Sequence, residues 1–208
     1  TKYSYYQNYI KKGGHMVKIK VLLGSSRPGR FGTQPAEWLM RLAQAHQDAA
    51  FELVDLKELN LPFLDEPVPP IMGKFEQPHS KKWSQLISES DGFLFITPEY
   101  NHSYSAVLKN AIDFLAREWF YKPVGLVSYG ADAGGARATE HLRAVTGYLR
   151  MYDLGEFISI PNYWSQLDQD GKFQPTPAQD ENAQKLLRSL VLWAKLMREG
   201  RQALSSAG

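Results

Sequence analysis

Val17-Lys18-Ile19-Lys20-Val21-Leu22-Leu23, followed without a break by Gly24-Ser25-Ser26-Arg27-Pro28-Gly29-Arg30-Phe31-Gly32-Thr33, is the stretch on which the reading of this chain turns. The first seven residues are rich in branched apolar side chains and stop at a glycine, the signature of a strand. The next ten form a loop of glycine, small hydroxyls, arginine and proline. Beyond it Ala36, Leu39, Met40 and Ala43 fall at i, i+3, i+4 and i+7, one face of a helix that Thr33 is placed to cap. Strand, loop and helix make the first unit of a pattern that runs through the chain.

Phe51 to Leu56 reads as a second strand, the proline-rich stretch Leu61 to Pro70 as irregular, and Trp83, Leu86 and Ile87 mark the next helix. Gly92-Phe93-Leu94-Phe95-Ile96-Thr97 is apolar on both faces, as a central parallel strand covered by helices requires. Leu108, Ala111, Ile112 and Leu115 repeat the helical spacing; Val124 to Ser128 gives a fourth strand, Leu142, Val145 and Leu149 another helix, and Leu154 to Ile160 a fifth strand. A polar segment, Pro161 to Pro177, carries an Asp170-Gly171 turn signal and leads to a last helix with Leu187, Leu190, Val191 and Ala194 on one face. Five strands alternating with five helices predict a three-layer α/β domain with a parallel sheet, because right-handed crossovers place helices on both faces.

Composition sets the outer bounds. In 208 residues, 43% are hydrophobic and 22% charged, a globular balance, and no apolar run approaches the roughly 18 residues of a membrane-spanning helix. There is no cysteine, which excludes a disulfide framework, a thiolate metal site and a cysteine nucleophile. The formal charge of +2 is uneven: residues 1–15 hold Lys2, Lys11 and Lys12, no acid, and four tyrosines, and they end in a Gly13-Gly14-His15-Met16 junction. We read residues 1–15 as a leader added for expression and 16–208 as a single domain. Without the leader, 21 basic residues face 22 acidic ones, a net charge of −1 that points to neither nucleic acid nor membrane. The expectation is a soluble, cytoplasmic protein.

Three unusual loops follow strands one, three and four, so all three emerge at the carboxyl edge of a parallel sheet. With strand order 2-1-3-4-5, strands one and three flank the switch point where a ligand crevice opens. The first loop has the chemistry of a cradle for a terminal monophosphate: glycines allow tight turns, Ser25, Ser26 and backbone N–H groups donate, Arg27 supplies charge, and the next helix aims its N-terminus inward. It is neither G-x-x-x-x-G-K-[ST] nor G-x-G-x-x-G, which disfavours nucleoside triphosphates and a standard dinucleotide grip. The second loop, Pro98-Glu99-Tyr100-Asn101-His102-Ser103, offers polar groups for the edge of a flat heterocycle, or else a turn in which Asn101 or Ser103 caps the helix that follows. In the third, Ser128-Tyr129-Gly130 and Gly134-Gly135 permit close approach of a planar ligand, with Tyr129 placed to cover one face.

Two other chemistries find little support in the residues. A serine hydrolase would use Ser128, Asp132 and His141, but Leu126 stands where a nucleophile elbow needs glycine. The five histidines, at 15, 46, 79, 102 and 141, are never closer than 23 residues and lack metal-ligand spacing, so no metal site is expected.

Gly24-Ser25-Ser26-Arg27, Pro98-Glu99-Tyr100-Asn101 with Leu108-Lys109-Asn110-Ala111-Ile112-Asp113, and Ser128-Tyr129-Gly130 with Gly134-Gly135 together resemble the NADPH-dependent FMN reductase family, over roughly Val17 to Ile160. The resemblance implies a flavodoxin-like three-layer α/β/α sandwich with a five-stranded parallel sheet in order 2-1-3-4-5. It also implies bound FMN, NADPH or NADH as co-substrate, and a small-molecule electron acceptor: a quinone, azo compound, free flavin or metal oxyanion. A homodimer or homotetramer with the flavin near a subunit interface is implied as well. By position, Ser25, Arg27, Gly32 and Thr33 look like the phosphate cradle, Pro98, Glu99, Tyr100 and Asn101 like the loop along the isoalloxazine, and Ser128, Tyr129 and Gly130 like the wall opposite. The chain departs from the family pattern at Phe31-Gly32, where serine or asparagine is common, and at Ala131-Asp132-Ala133. The residues agree with such chemistry, since hydride transfer to a flavin needs no side-chain nucleophile or metal. Ping-pong kinetics are expected. Leu61 to Pro70, His102 and Trp119 are candidates for shaping the acceptor pocket, and Arg30, Arg117 and Arg137 for a 2′-phosphate contact. The alternative is a flavodoxin-type electron carrier, which the near-neutral charge disfavours because such carriers dock through strong acidity.

Overall fold

The computed structural model describes residues 16–206; the expectation for residues 1–15 lies outside them. Strands β1 (Val17–Leu23), β2 (Ala49–Asp55), β3 (Gly92–Pro98), β4 (Pro123–Tyr129) and β5 (Tyr152–Ile160) form one parallel sheet in the order β2-β1-β3-β4-β5. Helices α1 (Thr33–Ala43), α2 (Pro78–Ser88), α3 (Ala106–Asp113), α4 (Ala136–Tyr148) and α5 (Pro177–Ser206) alternate with the strands, and a single helical turn, Leu56–Leu59, follows β2. This is the expected three-layer sandwich, with α1 and α5 on one face and α2, α3 and α4 on the other.

The apolar pattern explains which strand lies where. Every residue of β3 and β4 is buried, whereas the edge strands β2 and β5 alternate with exposed positions. On the α1–α5 face, Ile19, Val21, Leu94 and Ile96 meet Leu39, Leu186 and Leu190. On the other, Phe93 and Phe95 meet Trp83, Leu108 and Ile112. Burial of such side chains contributes about 1.5–3 kcal/mol each.

Several boundaries differ from the sequence reading. The second strand spans 49–55, because the Asp55 carboxylate accepts from Lys57 N at 2.9 Å and turns Leu56 into a helical residue. The fifth begins at Tyr152. Thr33 does not cap α1: it is the first helical residue, Gly32 occupies the cap without a side-chain bond, and Trp38 joins the buried face by donating its indole N–H to Asp180 of α5 at 2.7 Å. Ser105, rather than Asn101 or Ser103, caps α3 by accepting from Leu108 N at 3.3 Å. Trp119 lies in the core, fully buried against Phe93 with its indole N–H on Ile112 O at 3.1 Å, and shapes no acceptor pocket.

At the amino edge of the sheet, Asp91 accepts from Lys18 N at 3.0 Å and from Arg201 at 2.8 Å, which ties α5 to the strands. Lys122 donates to Ile87 O at 2.7 Å and Ser88 O at 3.1 Å, closing the end of α2, and burial pushes its pKa down to about 7. Among the described residues no helix is long and apolar enough to cross a membrane.

Asp153 of β5 has both carboxylate oxygens buried without a hydrogen bond, and desolvation raises its pKa to about 6 although Arg143 lies 3.3 Å away. The folded state therefore binds a proton that the unfolded chain releases. The stability this confers is full below the ordinary value of 3.8 and is lost as pH rises through about 6. Relative to Asp153→Asn, the wild type should lose roughly 1 kcal/mol between pH 4 and pH 7, a figure reduced for solvent screening. Urea midpoints at the two pH values check this; parallel changes in both proteins would contradict it.

Candidate functional site: a phosphate cradle and its neighbours at the carboxyl edge

The loop after β1 begins under tight restraint. Gly24 N donates to Ile96 O at 2.8 Å, and a Cβ on Gly24 would lie 2.9 Å from that oxygen and 3.2 Å from Leu108, so no larger residue fits. The Ser105 hydroxyl donates to Gly24 O, fixing the loop to the start of α3. The far end is held by Phe31, which stacks on Tyr163 at 4.3 Å and meets Tyr129 and Phe173 edge-on at 5.2 and 5.3 Å. The departure from the family pattern at Phe31 thus has a structural reason: its side chain is a core anchor.

Between these two anchors, no backbone N–H from Ser25 to Gly32 donates to an acceptor among the described residues. The stretch from Ser26 to Gly29 is exposed at the crevice, and a run of free N–H groups ahead of a helix N-terminus is what an anion site presents. Hydroxyls surround this run. Ser25 is fully buried, with its hydroxyl 3.2 Å from that of Tyr100. Arg27, exposed at the mouth, lies near the phenols of Tyr163, Tyr100 and Tyr129, which favour its charged form. Thr33 is half-buried, its hydroxyl turned back to Arg30 O at 3.5 Å.

Tyr129 completes the cradle from below. The sequence placed it as a cover for a planar ring; the structure buries its ring edge-on to Phe31 and brings its hydroxyl to the Ser25 and Gly32 end of the loop. A Cβ on Gly32 would lie 2.7 Å from that hydroxyl. The oxygen is buried and has no hydrogen-bond partner, and desolvation raises the phenol pKa well above its usual value. A buried donor without an acceptor costs about 1–3 kcal/mol, which a bound anion at this spot would relieve.

The second and third loops stand beside the cradle. Tyr100 N donates to Ser103 O at 2.8 Å and Ser103 N to Tyr100 O at 3.0 Å, closing a tight bend in which Asn101 (φ 48°) and His102 (φ 68°) are both left-handed. Asparagine tolerates that region; a histidine there stores strain of about 1–3 kcal/mol, a cost that concentrates at functional sites. Pro98 is buried at the end of β3. Glu99 N donates to Tyr129 O at 3.0 Å, and its carboxylate accepts from Arg137 N at 3.1 Å and Arg137 Nη1 at 2.6 Å. Desolvation works against the Glu99 charge, but the Arg137 hydrogen bonds outweigh it and hold the carboxyl below its ordinary pKa. Glu99 therefore latches the second loop to the N-terminus of α4.

Ser128 is likewise committed. Its hydroxyl donates to Gly134 O at 2.9 Å and accepts from Thr139 at 3.1 Å, holding the turn made by Gly134 (φ 57°) and Gly135 (φ 86°). Gly130 N donates to Ile160 O at 3.2 Å, while His141 pairs with Ser103 Oγ at 3.0 Å. With Ser128 bound to Gly134 and His141 to Ser103, the hydrolase arrangement is absent. The three arginines considered for a 2′-phosphate also separate: Arg30 pairs with Asp55, Arg137 with Glu99, and Arg117 lies with Tyr121 and Arg201 toward the amino edge.

Sequence reading missed Tyr163 and Ser105 as parts of this edge, and missed that Arg137 pairs with Glu99. Ser105 stood one residue before an apolar helical run, an N-cap signal that could have been read. Tyr163 sits in a segment taken as merely polar, which folds into a short turn and a Leu167–Phe173 bridge that carries its aromatics back onto Phe31.

A parallel sheet in the order β2-β1-β3-β4-β5 with helices on both faces defines a flavodoxin-like doubly wound α/β fold, which opens its ligand crevice at the switch point. The family model for the NADPH-dependent FMN reductases matches residues 17–165, and the chain belongs to that family. It is an oxidoreductase whose cofactor is FMN and whose electron donor is NAD(P)H. It is 43% identical over 136 residues to an NAD(P)H-dependent FMN reductase of Schizosaccharomyces pombe, covering 64% of this chain and 68% of the relative. It is 31% identical over 189 residues to an NAD(P)H:quinone oxidoreductase of Solanum tuberosum, covering 85% and 90%. Among solved structures it resembles the flavoenzyme NAD(P)H:acceptor oxidoreductase FerB of Paracoccus denitrificans, with TM-score 0.69 and 22% identity over 88% of this chain and 99% of that one, a likeness of fold.

Tyr129→Phe removes an unpaired buried oxygen. The cofactor-free protein should gain about 1 kcal/mol of stability, measured by denaturant unfolding of the flavin-stripped protein; a loss of that size would mean that the hydroxyl has a partner in the free state.

Proposed function

We propose that this chain is an FMN-dependent NAD(P)H oxidoreductase that reduces small-molecule acceptors, quinones foremost. The observation that carries the reading is the run of acceptor-free N–H groups from Ser25 to Gly32 around the unpaired Tyr129 hydroxyl. Its donor set suits a terminal phosphate, and its place beside the β1–β3 switch point suits a cofactor that extends along the edge toward the second and third loops. Relatives named for quinone reduction, in Solanum tuberosum and, at 37% identity over 141 residues, in a Burkholderia species (a 2-hydroxy-1,4-benzoquinone reductase), support the acceptor class. Azo compounds, free flavin and metal oxyanions are further acceptors in the proposal.

In this mechanism Ser25, Arg27, Gly32 and Thr33, joined by Tyr129, hold the phosphate through backbone N–H groups, hydroxyls and one guanidinium. Pro98, Glu99, Tyr100 and Asn101 would lie along the ring, with Glu99 fixing their loop through Arg137. Ser128 and Gly130 act through the backbone, by shaping the opposite turn. Bound FMN would supply the chemistry of hydride transfer between NAD(P)H and the acceptor, and the crevice would take donor and acceptor in turn. The proposal extends to a cytoplasmic enzyme that acts as a homodimer or homotetramer, with the domain from residue 16 onward as its working unit.

Initial rates with NADPH and a soluble benzoquinone test this: parallel double-reciprocal lines are expected, and intersecting lines would contradict shared occupancy. Arg27→Ala should lower FMN affinity by about tenfold, in line with a charged hydrogen bond of roughly 1.5–3 kcal/mol; unchanged flavin content after gel filtration would remove Arg27 from the cradle.

A further inference from the structure

Arg30 lies in the cradle loop but does not face the crevice. Its guanidinium forms a two-pronged pair with the Asp55 carboxylate, Nη1 to Oδ1 at 2.8 Å and Nη2 to Oδ2, and Nη1 also donates to the carbonyl oxygen of Ser25. Both side chains are largely buried, at 10% and 20% exposure. Asp55 ends β2 and is itself fixed by the Lys57 N–H, so Arg30 is held from the β2 side by a rigid element.

The direction of this grip has a consequence for the peptide unit between Ser25 and Ser26. That unit is trans, so its C=O and N–H point in opposite directions. The Ser25 carbonyl is drawn toward Asp55 and β2. The Ser26 N–H must therefore point away from β2. Because β1 lies between β2 and β3, that direction is toward the crevice where Tyr100 meets Ser25. Without the guanidinium, a peptide in a glycine-bounded loop is free to rotate and present its carbonyl to the anion instead.

We propose that Arg30 and Asp55 are positioning residues that set the polarity of the Ser25–Ser26 peptide, so that Ser26 N–H is aimed at the phosphate before the cofactor arrives. The proposal rests on the FMN reading and deepens it by separating two arginines three positions apart: Arg27 meets the anion through its own charge, Arg30 through the peptide it turns. Arg30 has few N–H groups left for a ligand, since its charge is met by Asp55 and a donor is taken by Ser25. Arginine is required, because a lysine keeps the charge but lacks the planar fork that reaches a carboxylate and a carbonyl together.

The test compares FMN with riboflavin, which lacks the phosphate, on flavin-stripped wild type, Arg30→Lys and Asp55→Asn, by quenching of flavin fluorescence. Asp55→Asn keeps an acceptor for Lys57 N, so one variant remains informative if the other folds poorly. Both variants should bind FMN at least tenfold more weakly and riboflavin within twofold of wild type. In the wild type, the Ser26 amide resonance should shift when FMN or inorganic phosphate is added, and this shift should shrink in Arg30→Lys. FMN affinity equal to wild type in both variants overturns the proposal. So does a parallel loss of FMN and riboflavin, which would mark a general structural role. A wild type that binds neither flavin refutes the FMN reading itself.

Discussion

The organising constraint in this molecule is a set of backbone donors left without acceptors. Folding normally pairs buried N–H groups, as the parallel ladders, the helices and many of the turns do here. In the loop from Ser25 to Gly32, exposed from Ser26 to Gly29, no backbone N–H meets an acceptor among the described residues, and the surrounding structure holds that loop in place. Gly24 and Ser105 fix one end, Phe31 the other, and Arg30 with Asp55 hold the middle from the β2 side. A loop restrained at three points cannot collapse to satisfy its own donors, so the donors remain for an external anion. Holding them in place beforehand removes the ordering cost from binding.

The neighbouring loops are restrained in a similar way by groups that never reach the ligand. Glu99 and Arg137 join the end of β3 to the start of α4, and Ser128 with Thr139 hold the turn after β4. Side chains that look chemically active in sequence are thus spent on geometry, which suits an enzyme whose reaction is carried by its cofactor. The left-handed His102 is the main local strain at the edge, and it lies beside the Asn101 and Tyr100 positions proposed to lie along the ring.

The sheet was legible in the sequence because a central parallel strand has a plain signature: Phe93 to Ile96 and Val124 to Val127 are apolar without alternation. Strand order came from the family resemblance, since three loops sharing one edge are compatible with more than one order. The candidate cradle stood out as glycine, serine and arginine clustered after a strand, a composition that an ordinary βα loop shares. What was hidden were the partners of those residues. Glu99 looked like a ligand group until the fold brought Arg137 beside it, 38 positions away. Tyr129 looked like a ring cover because sequence shows that it follows β4 but not which face its side chain takes. Tyr163 was out of reach because its segment owes its shape to tertiary packing on Phe31 and not to any local propensity.

In the proposed reaction, FMN held at this edge receives electrons directly from NAD(P)H, with no second protein. The most direct measurement is the visible spectrum of the purified chain after reconstitution with FMN and removal of free flavin, repeated in the absence of oxygen with NADPH added. Flavin that stays with the protein and bleaches on adding NADPH is the predicted result. Flavin lost on desalting would contradict the cradle. Flavin that is retained but keeps its colour would contradict the reductase and leave an electron carrier in its place.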